Sequence, residues 1–155
     1  MVIKTEYYKN FLHPDIATAL YAYLKYDIDW EDGIPSRRHG FTRKAKGMDM
    51  NEIFLGNNSL KDILINVFQS LKIDSAYGIY LNYYRDGNDF TPSHTHKNTK
   101  QLIISLGETR KLDVGSKTYD MNNGDVIVFG SSAHGIKKEP EVKEGRISIA
   151  VFIPV

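Results

Sequence analysis

The sequence predicts an α+β fold: a double-stranded β-helix, or jelly-roll, barrel beneath an N-terminal helical layer. Three observations lead there. The 155 residues change character near residue 73. Just before that point, Leu60, Ile63, Leu64, Val67, Phe68 and Leu71 form an apolar stripe at i, i+3, i+4, i+7. After it come about six short β-rich runs separated by tight-turn residues. No repeat, low-complexity run or long linker intervenes. Residues 1–155 therefore read as one domain, with 1–73 as helical layer and basic, lid-like loop, and 74–155 as jelly-roll core.

The first helix is expected to begin at Pro14, whose fixed φ suits position N1. Ile16, Leu20, Tyr23 and Leu24 follow at helical spacing. The second helix is expected to open on Ser59-Leu60-Lys61-Asp62, an acidic form of the capping box. Its stripe must lie on something flat, and a sheet follows. Tyr77–Tyr84 is aromatic and β-branched enough for a strand. Gln101–Leu106 contains Leu-Ile-Ile, a buried-strand run. Arg110–Val114 and Lys117–Met121 flank Gly115-Ser116, which suits a two-residue hairpin. Asn122-Asn123-Gly124 marks another turn before Asp125–Phe129. Arg146–Ile153 closes the series with Ile147, Ile149 and Val151 on one face.

Between the helices, Ile34–Met50 holds Arg37, Arg38, Arg43, Lys44 and Lys46, with Phe41 among them and no acid before Asp49. It reads as a basic, mobile loop or short hairpin. Such residues can grip phosphates while the aromatic stacks on a base. A solvated charged loop explains them equally well.

Composition narrows the chemistry. The net charge of +1 provides no global field for nucleic acid or membrane. The chain has no cysteine, so disulfides, thiolate zinc sites and cysteine nucleophiles are excluded. The N-terminus lacks a signal-peptide apolar region, and no apolar run approaches membrane-spanning length. A cytoplasmic monomer with no membrane partner is the expectation.

Three of the five histidines stand out. His94 and His96 flank Thr95, and on an extended segment residues i and i+2 face the same way. His134 follows the Val-Ile-Val-Phe run, which a jelly roll can bring alongside. Imidazole suits iron, zinc, copper or nickel. Alone, each would be an ordinary loop histidine.

Their order within a larger pattern is more specific. Asn82-Tyr83-Tyr84 precedes His94-Thr95-His96; then come Ser105-Leu106-Gly107, Arg110, Asn123-Gly124-Asp125, His134-Gly135-Ile136 and Arg146. This series, over most of residues 75–153, resembles the AlkB-like branch of the iron(II)/2-oxoglutarate-dependent dioxygenases. The opening Tyr8-x-x-Phe11-Leu12 and Thr42-Arg43-Lys44-Ala45 are also familiar in that family. The resemblance implies His94, His96 and His134 as ligands of Fe(II), with 2-oxoglutarate and O2 as co-substrates. It implies that Arg146 pairs bidentately with the distal carboxylate of 2-oxoglutarate. Asn82 and Tyr84 would donate to the same molecule, assisted by Ser148 on the same strand face. It further implies a basic lid over a flipped or single-stranded nucleic-acid base, and oxidative demethylation or hydroxylation of that base.

The pattern departs from the family at two positions. His96 stands where the family has Asp, which leaves the bound metal one charge unit more positive. Phe152 stands where AlkB-type enzymes carry a second Arg. Two alternatives therefore stay open: a same-fold hydroxylase of a protein or small molecule, and a non-catalytic metal- or ligand-binding barrel.

Overall fold

The computed structural model describes residues 3–56 and 58–155. In chain order the elements are β1 (Glu6–Tyr8), α1 (Pro14–Asp27), β2 (Glu31–Asp32), β3 (Lys44–Met48), α2 (Met50–Leu55), α3 (Ser59–Leu71), β4 (Gly78–Tyr84), β5 (Thr91–His94), β6 (Thr99–Gly107), β7 (Arg110–Val114), β8 (Lys117–Met121), β9 (Val126–Phe129), β10 (His134–Ile136) and β11 (Arg146–Pro154). They form two antiparallel sheets, one in the order β1-β9-β6-β11-β4-β3-β2 and the other β5-β10-β7-β8. Side chains of both sheets meet in one inner cluster, which makes the expected jelly roll.

The larger sheet is buried on both faces, and strand alternation assigns each residue to one of them. On the outer face, Leu81, Leu102, Ile104, Leu106, Ile147, Ile149 and Val151 pack against Leu20 and Leu24 of α1 and Leu60, Leu64 and Val67 of α3. On the inner face, Tyr84, Ile103 and Ala150 join Leu112, Val114 and Ile136 of the smaller sheet. At the centre, β11 pairs with β4 on one side and β6 on the other, setting Arg146 opposite Tyr84 and Ser148 opposite Asn82 and Ser105.

Several expectations need correction. Helix α3 is capped by Asn58, whose Oδ1 accepts from the Lys61 N–H at 3.0 Å, one residue earlier than the capping box anticipated. In α1 the inward stripe is Ala17, Leu20 and Leu24, while Ile16 is 48% exposed. Of the two readings of the basic stretch, the hairpin is the one that forms: β3 pairs with β2, and also with β4. Its tip is a turn closed by a Ser36–Gly40 bridge. β5 and β10, which carry His94 and His134, are not among the strands expected from the sequence. The Gly115-Ser116 hairpin forms, with Gly115 at φ +60°, where a side chain would be strained. Among the described residues, no helix is long and apolar enough to cross a membrane.

Candidate functional site

The smaller sheet brings the histidines together. β10 pairs antiparallel with β5, and His134 lies directly opposite His94. Their ring centroids are 4.3 Å apart. This approach needs Gly135, because a Cβ there would come within 2.8 Å of the Thr91 carbonyl oxygen and 3.0 Å of the Ser93 backbone. His96 follows just past β5, with ring centroids 4.9 Å from His94 and 5.5 Å from His134. One potential ligand atom from each of the three lies within 4.8 Å of the others.

Backbone carbonyls orient two of the rings. His94 Nδ1 lies 2.8 Å from the Pro92 carbonyl oxygen, and His134 Nδ1 lies 3.0 Å from that of Ser132. A carbonyl only accepts, so each Nδ1 carries the proton and each Nε2 keeps its lone pair for a metal. His134 is buried, and burial first, then His94 and His96, hold its pKa down at about 4 against the opposing pull of the Ser132 carbonyl. His96 is shifted down too, by burial and then by His94. Near neutral pH His134 is therefore a neutral imidazole that keeps its Nδ1 proton. Gln101, which nothing in the sequence singles out, lines the same cavity, with Nε2 3.3 Å from His134 Nε2.

The imidazoles line a cavity of about 500 Å³ between the sheets. From β4, Tyr80, Asn82 and Tyr84 point into it; from β11, Arg146, Ser148, Ala150 and Phe152 do so. Arg146 is 1% exposed. Its Nε donates to Ser105 Oγ at 2.8 Å, and its guanidinium lies 5.4 Å from the Tyr84 ring centroid. Burial pushes its pKa down to about 10, which still leaves it charged at neutral pH. One nitrogen, Nη2, is buried without any hydrogen-bond partner. Orphaned buried donors are rare and costly. Asn82 Nδ2 lies 3.5 Å from Ser148 Oγ, and the Tyr84 hydroxyl 2.6 Å from Thr91 Oγ1.

The basic residues separate. Lys44 Nζ pairs with Asp32 and Lys46 Nζ with Glu31, each at 2.7 Å across the β2–β3 hairpin. Those acids lie just before the stretch whose lack of acid made it read as a patch, and pairing register is invisible to such a window. Arg43 turns inward and lines the cavity, its Nε donating to Asn82 Oδ1 at 2.7 Å. Arg37, Arg38 and Phe41 remain exposed outside it. The residue at the second departure, Phe152, packs on His96 with ring centroids 5.2 Å apart.

The residues fit a metal and a carboxylate together: three convergent imidazole nitrogens, and an arginine lining the same cavity with one buried nitrogen unpartnered.

No family model matches the sequence, and no curated protein matches it. Solved structures do. A Pseudomonas putida prolyl-4-hydroxylase superposes with TM-score 0.70 at 14% identity, over 97% of this chain and 92% of that one. A Trichoplax adhaerens prolyl hydroxylase, in complex with a hypoxia-inducible-factor oxygen-degradation-domain peptide, gives TM-score 0.66 at 14% identity, over 97% of this chain and 83% of that one. A predicted oxalate decarboxylase from Thermotoga maritima gives 0.54 at 15% identity, over 83% of this chain and 95% of that one. At these identities the likeness establishes the fold, a jelly-roll barrel of the kind found in prolyl hydroxylases.

Proposed function

We propose that this chain is a non-haem iron(II), 2-oxoglutarate-dependent dioxygenase that hydroxylates a C–H bond of an organic substrate. One observation carries the reading: Arg146, whose buried Nη2 has no hydrogen-bond partner, lines the same cavity as the three imidazoles. His94, His96 and His134 would hold the iron. With iron bound, the site would supply oxidative decarboxylation of 2-oxoglutarate by O2, giving succinate, carbon dioxide and the hydroxylated substrate.

The chain's own residues bind and orient. Arg146 meets the distal carboxylate of 2-oxoglutarate, aimed by Ser105, which fixes Nε while Nη2 stays unpartnered. Ser148, Tyr84 and the amide of Asn82 supply further donors along the same wall. Tyr80, Ile103, Ile136, Ala150 and Phe152 provide apolar wall and exclude water. The Gln101 amide contacts the nitrogen that a metal needs, so it has to yield that lone pair on loading.

A nucleic-acid base is the substrate implied by the AlkB-like resemblance, with Arg37, Arg38 and Phe41 as its rim contacts. A peptide or small molecule is the reading we favour, because both lysines of the basic stretch are already paired. The peptide held by the Trichoplax enzyme supports the same direction. The test is anaerobic addition of iron(II) and 2-oxoglutarate, watching for a visible charge-transfer band, followed by succinate assay in air. A band that disappears in Arg146→Gln is expected. No band in the native protein would overturn the co-substrate assignment. Metal binding without succinate, restored by His96→Asp, would instead favour a barrel that binds but does not turn over.

A further inference from the structure

The cavity is unusual in its charge. Two guanidiniums, of Arg146 and Arg43, line it, and no Asp or Glu does so among the described residues. Among the described residues, neither arginine has a carboxylate within salt-bridge reach, although Arg85 and Arg110 do. Arg43 is half-buried, and its contacts are to neutral groups: Nε to Asn82 Oδ1 at 2.7 Å and Nη1 to Thr42 Oγ1 at 3.1 Å. Unpaired cations at a low-dielectric site are costly and call for a counter-ion. Under the reading above, a divalent ion would add two positive charges and 2-oxoglutarate two negative ones, which cancel. Where a carboxylate ligand would have lowered the total further, His96 is neutral. The two arginine charges therefore remain.

The strand registers place these charges at different levels. Arg146 lies opposite Tyr84, while Arg43 reaches Asn82, one pleat further along β4, from the β3 side of the sheet. Ile34 and Ser36 line the cavity from the same chain segment. Asn82 and Thr42 accept from Arg43 Nε and Nη1, so the guanidinium is held in place, with no side-chain partner at Nη2 among the described residues.

We infer that Arg43 is a specificity-determining residue that meets an anionic group on the substrate, a carboxylate or a phosphate, so that the substrate is a small organic anion. The inference deepens the dioxygenase reading by naming the charge of its second ligand. Apolar neighbours Ile34, Tyr80 and Phe152 make an aromatic or aliphatic acid a better fit than a bare ion.

The test uses zinc-loaded protein, which does not turn over, saturated with 2-oxoglutarate and titrated calorimetrically with benzoate, phenyl phosphate and neutral benzamide. An anion is expected to bind at least tenfold tighter than benzamide, and whichever anion binds tighter names the group. Arg43→Gln should abolish that preference, and Arg43→Lys should keep most of it. The same Arg43→Gln should change 2-oxoglutarate affinity less than threefold, whereas Arg146→Gln weakens it at least tenfold. Benzamide binding as tightly as the anions would overturn the inference. So would an Arg43→Gln that weakens 2-oxoglutarate as much as Arg146→Gln does, since Arg43 would then serve the co-substrate. If native protein fails to bind 2-oxoglutarate, the dioxygenase reading falls by itself. The Arg43-dependent preference, measured without 2-oxoglutarate, then still decides the inference.

Discussion

Arg146 illustrates how much depends on a single buried donor. Its side chain is 1% exposed, carries a charge and leaves Nη2 unpaired. Such a group destabilises the empty barrel and becomes satisfied only when an acceptor arrives. Arg146→Gln should therefore weaken 2-oxoglutarate at least tenfold in calorimetry while leaving the free protein as stable as the native form or more so. Ser105→Ala removes only the bond that aims Nε, worth about 1 kcal/mol, or roughly fivefold in affinity. Equal losses from the two changes would show that Ser105 binds the ligand directly. At this scale the sequence was legible where a motif order pointed: the three histidines, Asn82, Tyr84, Arg146 and Ser148 all line one cavity. In the sequence Arg43 reads only as one cation of a basic, lid-like loop, a phosphate contact or a solvated charge, because nothing local shows that its guanidinium turns inward to Asn82, 39 residues away. Gln101 was read only as the start of a strand. Its contact with His134 depends on β6 and β10 facing each other across the barrel.

Among the elements, two short strands do the most for the site. β5 and β10 have four and three residues, and the sequence of β5, Thr-Pro-Ser-His, is polar and contains proline. Periodicity needs longer runs, so neither strand could be read in advance, whereas β6 and β11, with nine residues each, could. The closeness of β5 and β10 rests on Gly135. Gly135→Ala must push Thr91 and Ser93 away. It should cost at least tenfold in zinc affinity with all three histidines intact, measured by competition with a chelator. Unchanged affinity would mean the metal does not need this strand spacing. A second fastener is Arg110 of β7, 1% exposed. It pairs with Glu139 at 2.7 Å and donates to the carbonyls of Asp86, Asp89 and Lys137. It thereby ties the segments after β4 and β10 to the smaller sheet. Breaking such a buried pair from one side costs about 3–5 kcal/mol. Arg110→Met should lower the urea midpoint accordingly, and a loss under about 1 kcal/mol would show that the pair is solvated.

For the whole molecule, the clustered imidazoles link stability to pH and metal. In the metal-free protein the His134 pKa is about 4 against 6.5 for an ordinary histidine. Its folded pKa is depressed, so the unfolded chain binds more protons between those values. Stability from this residue is complete above about pH 6.5 and is lost as pH falls toward 4, at a slope of at most about 1.4 kcal/mol per pH unit. His96, also shifted down, acts in the same direction. A ligand that needs unprotonated imidazole adds to the same linkage, because protons and metal compete for Nε2. Zinc should therefore raise the thermal midpoint strongly at pH 7.5 and much less at pH 5. Zinc at one hundred times its Kd contributes about 2.7 kcal/mol. His134→Gln should flatten the pH dependence of the metal-free protein and remove most of the zinc effect together. If it removes the zinc effect while the acid loss of stability persists unchanged, the acid sensitivity arises elsewhere in the barrel, and His134 is a ligand only. If neither changes, the three histidines do not form a metal centre, and the jelly roll must use its cavity through the arginines alone.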